Sequence, residues 1–237
     1  MRSWIKLVIF SVVVVSLISV QALWAGSISG TIKYEGKVPK FKPLKMGGDP
    51  VCHMAHTEPV YPEILVLGEG NRMANVLVSI TKGLPEKDYP VPTEPVILDQ
   101  KGCKYSPHVF GIRVGQGLKI LNPDGTLHNV HAMPKENAEF NLAMPAFRKT
   151  AMKKFNVEEV KPFPLKCDVH PWMTSWAAVM THPFFTVTGI DGSFMIDGLD
   201  PGEYEIQAWH EKLGVRKAIV TVTDSVETSD FTFRRAS

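Results

Sequence analysis

Residues 165–176 read LKCDVHPWMTSW and place Cys167, His170 and Met173 at intervals of three. A thiolate, an imidazole and a thioether within one short segment form a soft donor set, suited to copper rather than to a hard cation. A trigonal copper plane needs a second imidazole, with the thioether as a weak axial ligand. The segment GLKILNPDGTLHNVHAM (117–133) offers one. There an apolar strand runs into a turn at Pro123-Asp124-Gly125 and then reaches His128-Asn129-Val130. Zinc accepts Cys and His but gives no role to Met173. A binuclear copper centre would want a second Cys a turn away, where Phe163 stands.

The elements that must carry these residues read as strands. Alternating β-branched or aromatic segments fall at 27–34, 74–80, 94–99, 117–122, 162–167, 177–182, 184–189, 193–199, 203–210, 216–223 and 229–233. They are separated by turn residues drawn from 18 Gly and 18 Pro. Many short strands with such punctuation argue for an all-β sandwich or barrel. The long connection 133–155 lies between strand candidates, and the sequence predicts a short helix around Ala146–Lys154.

His128-Asn129-Val130 followed by Cys-x2-His-Pro-Trp-Met resembles the cupredoxins, the type 1 blue copper family, in their amicyanin/plastocyanin-like form. The short Cys-to-Met loop with Pro171 after its His, and the run HNVH, are the amicyanin-like features. The resemblance covers 93–183 and implies a Greek-key cupredoxin-like β-sandwich holding one mononuclear type 1 copper. His128, Cys167 and His170 would be equatorial ligands and Met173 axial. Asn129 would hydrogen-bond near the cysteine loop, and Trp172 would lie beside an exposed edge of His170, where redox partners dock. Outer-sphere electron transfer is implied, without catalysis, with the donor and acceptor left open.

A second resemblance covers the tail. VTGIDGSFMIDGLDPGEYEIQAWH (187–210) is similar to transthyretin-like, carboxypeptidase regulatory-like β-sandwiches, with Phe194, Ile196, Tyr204 and Ile206 facing inward. Residues 184–237 alone are too few for such a sandwich. The reading adopted is one sandwich from 26–92 plus 184–237 with 93–183 inserted, and a separate C-terminal module at 184–237 as its alternative.

The chain opens with Arg2 and Lys6, the apolar run Leu7–Val20, and small residues at Ala25 and Gly26. Residues 1–25 therefore read as a signal peptide for an exported, periplasmic location, with an uncleaved anchor as the alternative. Without them the 26 basic residues fall to 24, against 24 acidic. A neutral body gives no reason to expect nucleic acid or an anionic membrane as partner.

Three cysteines leave one over from any intramolecular pairing. Cys52 and Cys103, both in turn-like surroundings, are expected to pair and leave Cys167 free. No nucleophile elbow, zincin, Walker or haem-attachment motif occurs. His53 and His56 in CHMAH could hold a second metal, but read more simply as loop residues. His131 should point away from His128, because an odd separation on a strand puts residues on opposite faces. His108 could support the site from a neighbouring strand, whereas His182 and His210 read as structural. Arg148, Lys149, Lys153 and Lys154 read as a solvated basic face. Met133, Met144 and Met152, with CHMAH, favour a rival reading as a Cu(I) chaperone or store, and a β-sandwich scaffold module is the third.

Overall fold

A computed structural model describes residues 25–235. The expected signal segment lies almost wholly outside these residues. Among the described residues, no helix is long and apolar enough to cross a membrane. The fold is all-β, as expected. In chain order the strands are β1 (Gly26–Glu35), β2 (Leu77–Lys82), β3 (Val96–Asp99), β4 (Val109–Arg113), β5 (Gly117–Leu121), β6 (His128–Ala132), β7 (Phe140–Met144) and β8 (Thr150–Lys154). They continue as β9 (Glu159–Lys166), β10 (Thr174–Met180), β11 (Phe185–Val187), β12 (Ser193–Leu199), β13 (Gly202–His210), β14 (Gly214–Val222), β15 (Val226–Thr228) and β16 (Phe231–Arg234). Among the described residues the one α-helix, α1 (Pro50–Met54), is a single turn between β1 and β2.

Four sheets result. β1 pairs antiparallel with β12 and parallel with β15 and β16, and a second sheet runs β11-β2-β13-β14. Both combine strands from the two ends of the chain. Ile28, Ile32, Val78, Ile80, Phe194, Ile196, Tyr204 and Ile206 are buried between them in one apolar cluster. Alternation along the first part of β12 and of β13 places Phe194, Ile196, Tyr204 and Ile206 on the inward face.

The middle of the chain forms a five-stranded sheet, β4-β10-β9-β6-β7, and a three-stranded sheet, β3-β5-β8. Leu98, Phe110, Leu118, Ile120, Val130, Phe155, Phe163 and Leu165 are buried in a second cluster, which also contains Cys167 and Met173. Two short segments of the middle region thus end beside one core.

One expectation is corrected. Residues 146–154 form no helix: β8 pairs antiparallel with β5, from Gly117 opposite Lys154 to Leu121 opposite Thr150. Ala, Met and Lys favour helix intrinsically, but by less than a kcal/mol per residue. A strand here satisfies the open edge of β5 and brings Phe155 against Phe163 and Phe140, at 5.1 and 6.0 Å between ring centroids. Tertiary pairing outweighs local propensity.

Candidate metal centre

The turn before β6 is built by Asn122, which is fully buried. Its Oδ1 accepts from the Asp124 N–H at 3.1 Å, and its Nδ2 donates to Met144 O and Thr126 O at 2.6 and 3.1 Å. Such an Asx turn fixes the chain without needing a ladder partner. It delivers His128 at the first position of β6, wholly buried.

The second contribution is the loop between β9 and β10, whose flanking residues Lys166 and Thr174 are opposite each other in the ladder. Cys167 N–H donates to Met173 O at 3.2 Å, and Met173 N–H to His170 O at 2.9 Å. These bonds close the loop on itself and turn His170 back over Cys167. The His170 N–H points at Cys167 Sγ, 3.4 Å away.

His128, Cys167 and His170 converge, with their ligand atoms all within 4.8 Å of one another. His128 Nδ1 lies 2.9 Å from His170 Nδ1, and Cys167 Sγ lies 3.8 Å from the latter. Metal–nitrogen bonds of roughly 2.0–2.1 Å and a metal–sulfur bond of about 2.3 Å span gaps of this size. The outer nitrogens are already engaged. His128 Nε2 is 2.9 Å from Asp124 Oδ2, and His170 Nε2 is 3.2 Å from Asp49 Oδ2. A carboxylate on Nε2 fixes the proton there and turns the Nδ1 lone pair inward. Two lone pairs then face each other at 2.9 Å in a buried site, which requires a proton or a cation beside them. The donor set fits a soft metal ion.

The electrostatics agree. Burial pushes the His128 imidazole below its ordinary value, against the opposing pull of Asp124. Burial works against ionisation of Asp124, yet hydrogen bonds from His128 and the Cys103 and Gly102 N–H groups keep its carboxyl below the usual range. The Thr126 hydroxyl, ahead of contributions from Val51, His170 and Cys52, does the same for Asp49.

Asn129 ties the two halves together. Its Oδ1 accepts from Asp168 N–H at 2.8 Å and lies 3.3 Å from Cys167 Sγ. Its Nδ2 donates to Asp168 Oδ2 at 3.0 Å and Asn141 Oδ1 at 2.7 Å. Met173 is buried beside Cys167 in the same cluster. Cys52 and Cys103 form a disulfide, with Cα atoms 5.5 Å apart, and Cys167 is a buried free thiol. Trp172 stacks obliquely on His170, 5.1 Å between centroids, and donates Nε1–H to Cys103 O.

The expected exposed edge of His170 is not found. The ring is 2% exposed, because Asp49 and the disulfide cover it, with Cys52 Sγ 3.6 Å from Nε2. His131 points away from the cluster, to Glu139 and Asp168 at 2.7 and 3.3 Å. His108 supports the loop's end: its ring bonds Thr174 O at 3.1 Å and Glu211 at 2.6 Å. His56 bonds Gly102 O, and His53 is exposed on α1. His182 and His210 accept backbone N–H groups in their own turns. Asp49, Asp124 and the buried Tyr105, whose hydroxyl donates to Asn129 O, were not singled out from sequence. A signal for Asp49 did exist, since Asp followed by Pro is a helix-start pattern.

The arrangement is that of a β-protein with a buried imidazole–thiol–imidazole cluster assembled from the start of β6 and the β9–β10 loop. No family model matches the chain, and no curated protein matches it. Among solved structures it is similar to a copper-containing nitrite reductase from Thermus scotoductus SA-01, at 16% identity and a TM-score of 0.34. That match covers 42% of this chain and 25% of the reductase, so the chain spans a quarter of that protein's length. It is also similar to a mutant amicyanin in the Cu(I) form, at 19% identity and TM-score 0.32, covering 44% of this chain and 98% of amicyanin. A purple cupredoxin from Nitrosopumilus maritimus matches at 20% identity and TM-score 0.30, covering 36% of this chain and 99% of that one.

Proposed function

We propose that this chain is an exported blue copper protein that passes single electrons between partner proteins and has no catalytic activity of its own. His128 Nδ1, Cys167 Sγ and His170 Nδ1 would hold the copper ion, with Met173, buried in the same cluster, as the further ligand. The observation that carries the reading is the convergence of two inward-turned Nδ1 atoms on a free, buried thiol. A copper ion held there would supply a Cu(I)/Cu(II) couple. The chain's part is to keep the donors still. The carboxylates fix both ring orientations, the His170 N–H steadies the thiolate, and Asn129 locks the loop to β6. Burial excludes water that would otherwise rearrange with the change of charge. In this reading 93–183 is an insert within a sandwich made by 26–92 and 184–237, an arrangement supported by the mixed sheets of the two chain ends.

Addition of Cu(II) to the purified protein is expected to produce an intense visible thiolate-to-copper band at one ion per chain, with reversible voltammetry. Cys167→Ser is expected to abolish the band, and colour that survives this change refutes the ligand set. A colourless protein that binds only Cu(I) would instead be a copper store or chaperone. One that binds no stoichiometric copper would be a scaffold.

A further inference from the structure

His170 lies in the short loop after Cys167, yet a segment far away in sequence seals its ring. That segment runs from the end of β1 towards β2 and carries α1. Asp49 caps α1: its Oδ1 accepts Val51 N–H at 2.8 Å and Cys52 N–H at 3.4 Å. The other oxygen, Oδ2, accepts from Thr126 Oγ1 at 2.7 Å and faces His170 Nε2 at 3.2 Å. α1 is fastened in turn, because Cys52 is bonded to Cys103. The Cys103 N–H also donates to Asp124 Oδ2 at 2.8 Å, the oxygen that holds His128. One disulfide therefore frames both carboxylates that hold the two imidazoles.

We propose that Asp49 is a positioning residue for the copper ion: it holds the His170 tautomer and, by its charge, stabilises Cu(II) over Cu(I). The proposal rests on the copper reading above. Asp49 touches no metal and acts through the imidazole ring. A negative charge on the far side of a ligand ring favours the more highly charged ion, and partners of this kind govern metal affinity by roughly 10–100-fold. The helix cap alone would do neither, and the two roles separate cleanly. Asn is as good an N-cap as Asp, so Asp49→Asn keeps the cap on Oδ1 while an amide N–H replaces the acceptor facing His170 Nε2–H.

The test uses full-length, disulfide-intact, copper-loaded protein and reads the visible band, Cu(I) and Cu(II) affinities against competing chelators, and the midpoint potential. Asp49→Asn is expected to keep a visible band but to weaken Cu(II) about tenfold more than Cu(I), raising the midpoint by about 59 mV. Asp49→Glu, which restores the charge, is expected to recover most of that shift. An Asp49→Asn protein with the wild-type potential and affinity ratio overturns the proposal and leaves the copper reading intact. A wild-type protein with no thiolate-to-copper band overturns both. Should Asp49→Asn fail to fold, Thr126→Val decides: it removes the hydroxyl that shares the carboxylate's charge, is expected to lower the potential by a smaller step, and overturns the proposal if the potential stays or rises.

Discussion

His210 shows how one buried base makes stability depend on pH. Its ring is 2% exposed and sits by Phe233, 6.0 Å between centroids. Its Nδ1 accepts the N–H groups of Lys212 and Leu213 at 3.2 and 3.3 Å, which a proton on that nitrogen would destroy. Burial, only partly opposed by Glu211, pushes the imidazole down from 6.5 to about 4. The unfolded chain therefore takes up this proton first as pH falls. The folded state keeps its full advantage above about pH 6.5 and loses it progressively down to about pH 4, by at most roughly 3 kcal/mol. Urea unfolding of metal-free protein at pH 7 and pH 4 measures this. His210→Asn is expected to flatten the dependence, and an equal slope in both proteins would mean that other groups carry it. At the candidate metal centre the same scale separates what was legible from what was not. Cys167, His170 and Met173 are local, and His128 follows a readable turn. Asp49 reaches His170 across 121 residues, so only the fold brings them together.

The elements differ in how plainly they announce themselves. β1 and β12 to β14 were readable because most of each strand alternates between a more and a less buried face, and Gly36 and Pro201 follow the ends of β1 and β12. β4 was not, since Gly111 interrupts its apolar run; a Cβ there would meet the Phe185 ring at 2.4 Å. β7 and β8 were hidden by Pro145 and by helix-favouring Ala, Met and Lys, and exist because β6 and β5 offer edges to pair. α1 is a different case. A helix of five residues has no stability of its own in water. It depends on its Asp49 cap, on Pro50 at its start and on the Cys52–Cys103 bond, which closes a loop of sequence separation 51. On the chain-entropy account a loop of this length contributes about 4 kcal/mol. The double change Cys52→Ser, Cys103→Ser is expected to lower the stability of the metal-free protein by roughly that amount in urea unfolding. It should also expose the His170 ring, readable as faster hydrogen–deuterium exchange across 49–56. Loss of stability without faster exchange there would show that α1 is held by packing rather than by the staple.

At the scale of the whole molecule the question is whether the two apolar clusters melt as one. A third, smaller group joins them: Leu77 of β2, Val109 of β4, Ala178 and Met180 of β10, and Trp209 of β13. Trp209 packs on Trp176 at 5.4 Å between ring centroids and is 8% exposed. Beside it the His108–Glu211 bond, 2.6 Å and largely buried, crosses between the same two regions. Coupling through apolar burial is strong where the side chain is large, and truncating a buried Trp costs about 3–5 kcal/mol. Loss of Trp209 should remove contacts that neither cluster needs internally, so the cost falls on the coupling. The wild-type protein is therefore expected to unfold in one cooperative transition, with the visible band of the proposed copper site and the far-ultraviolet signal lost together. Trp209→Ala is expected to separate them: one transition reports the region carrying His128, Cys167 and His170, and the other the sheets built from the two chain ends. If the probes still coincide in Trp209→Ala, with only a lower midpoint, the two cores share more than this joint, and the middle segment does not fold as a unit of its own.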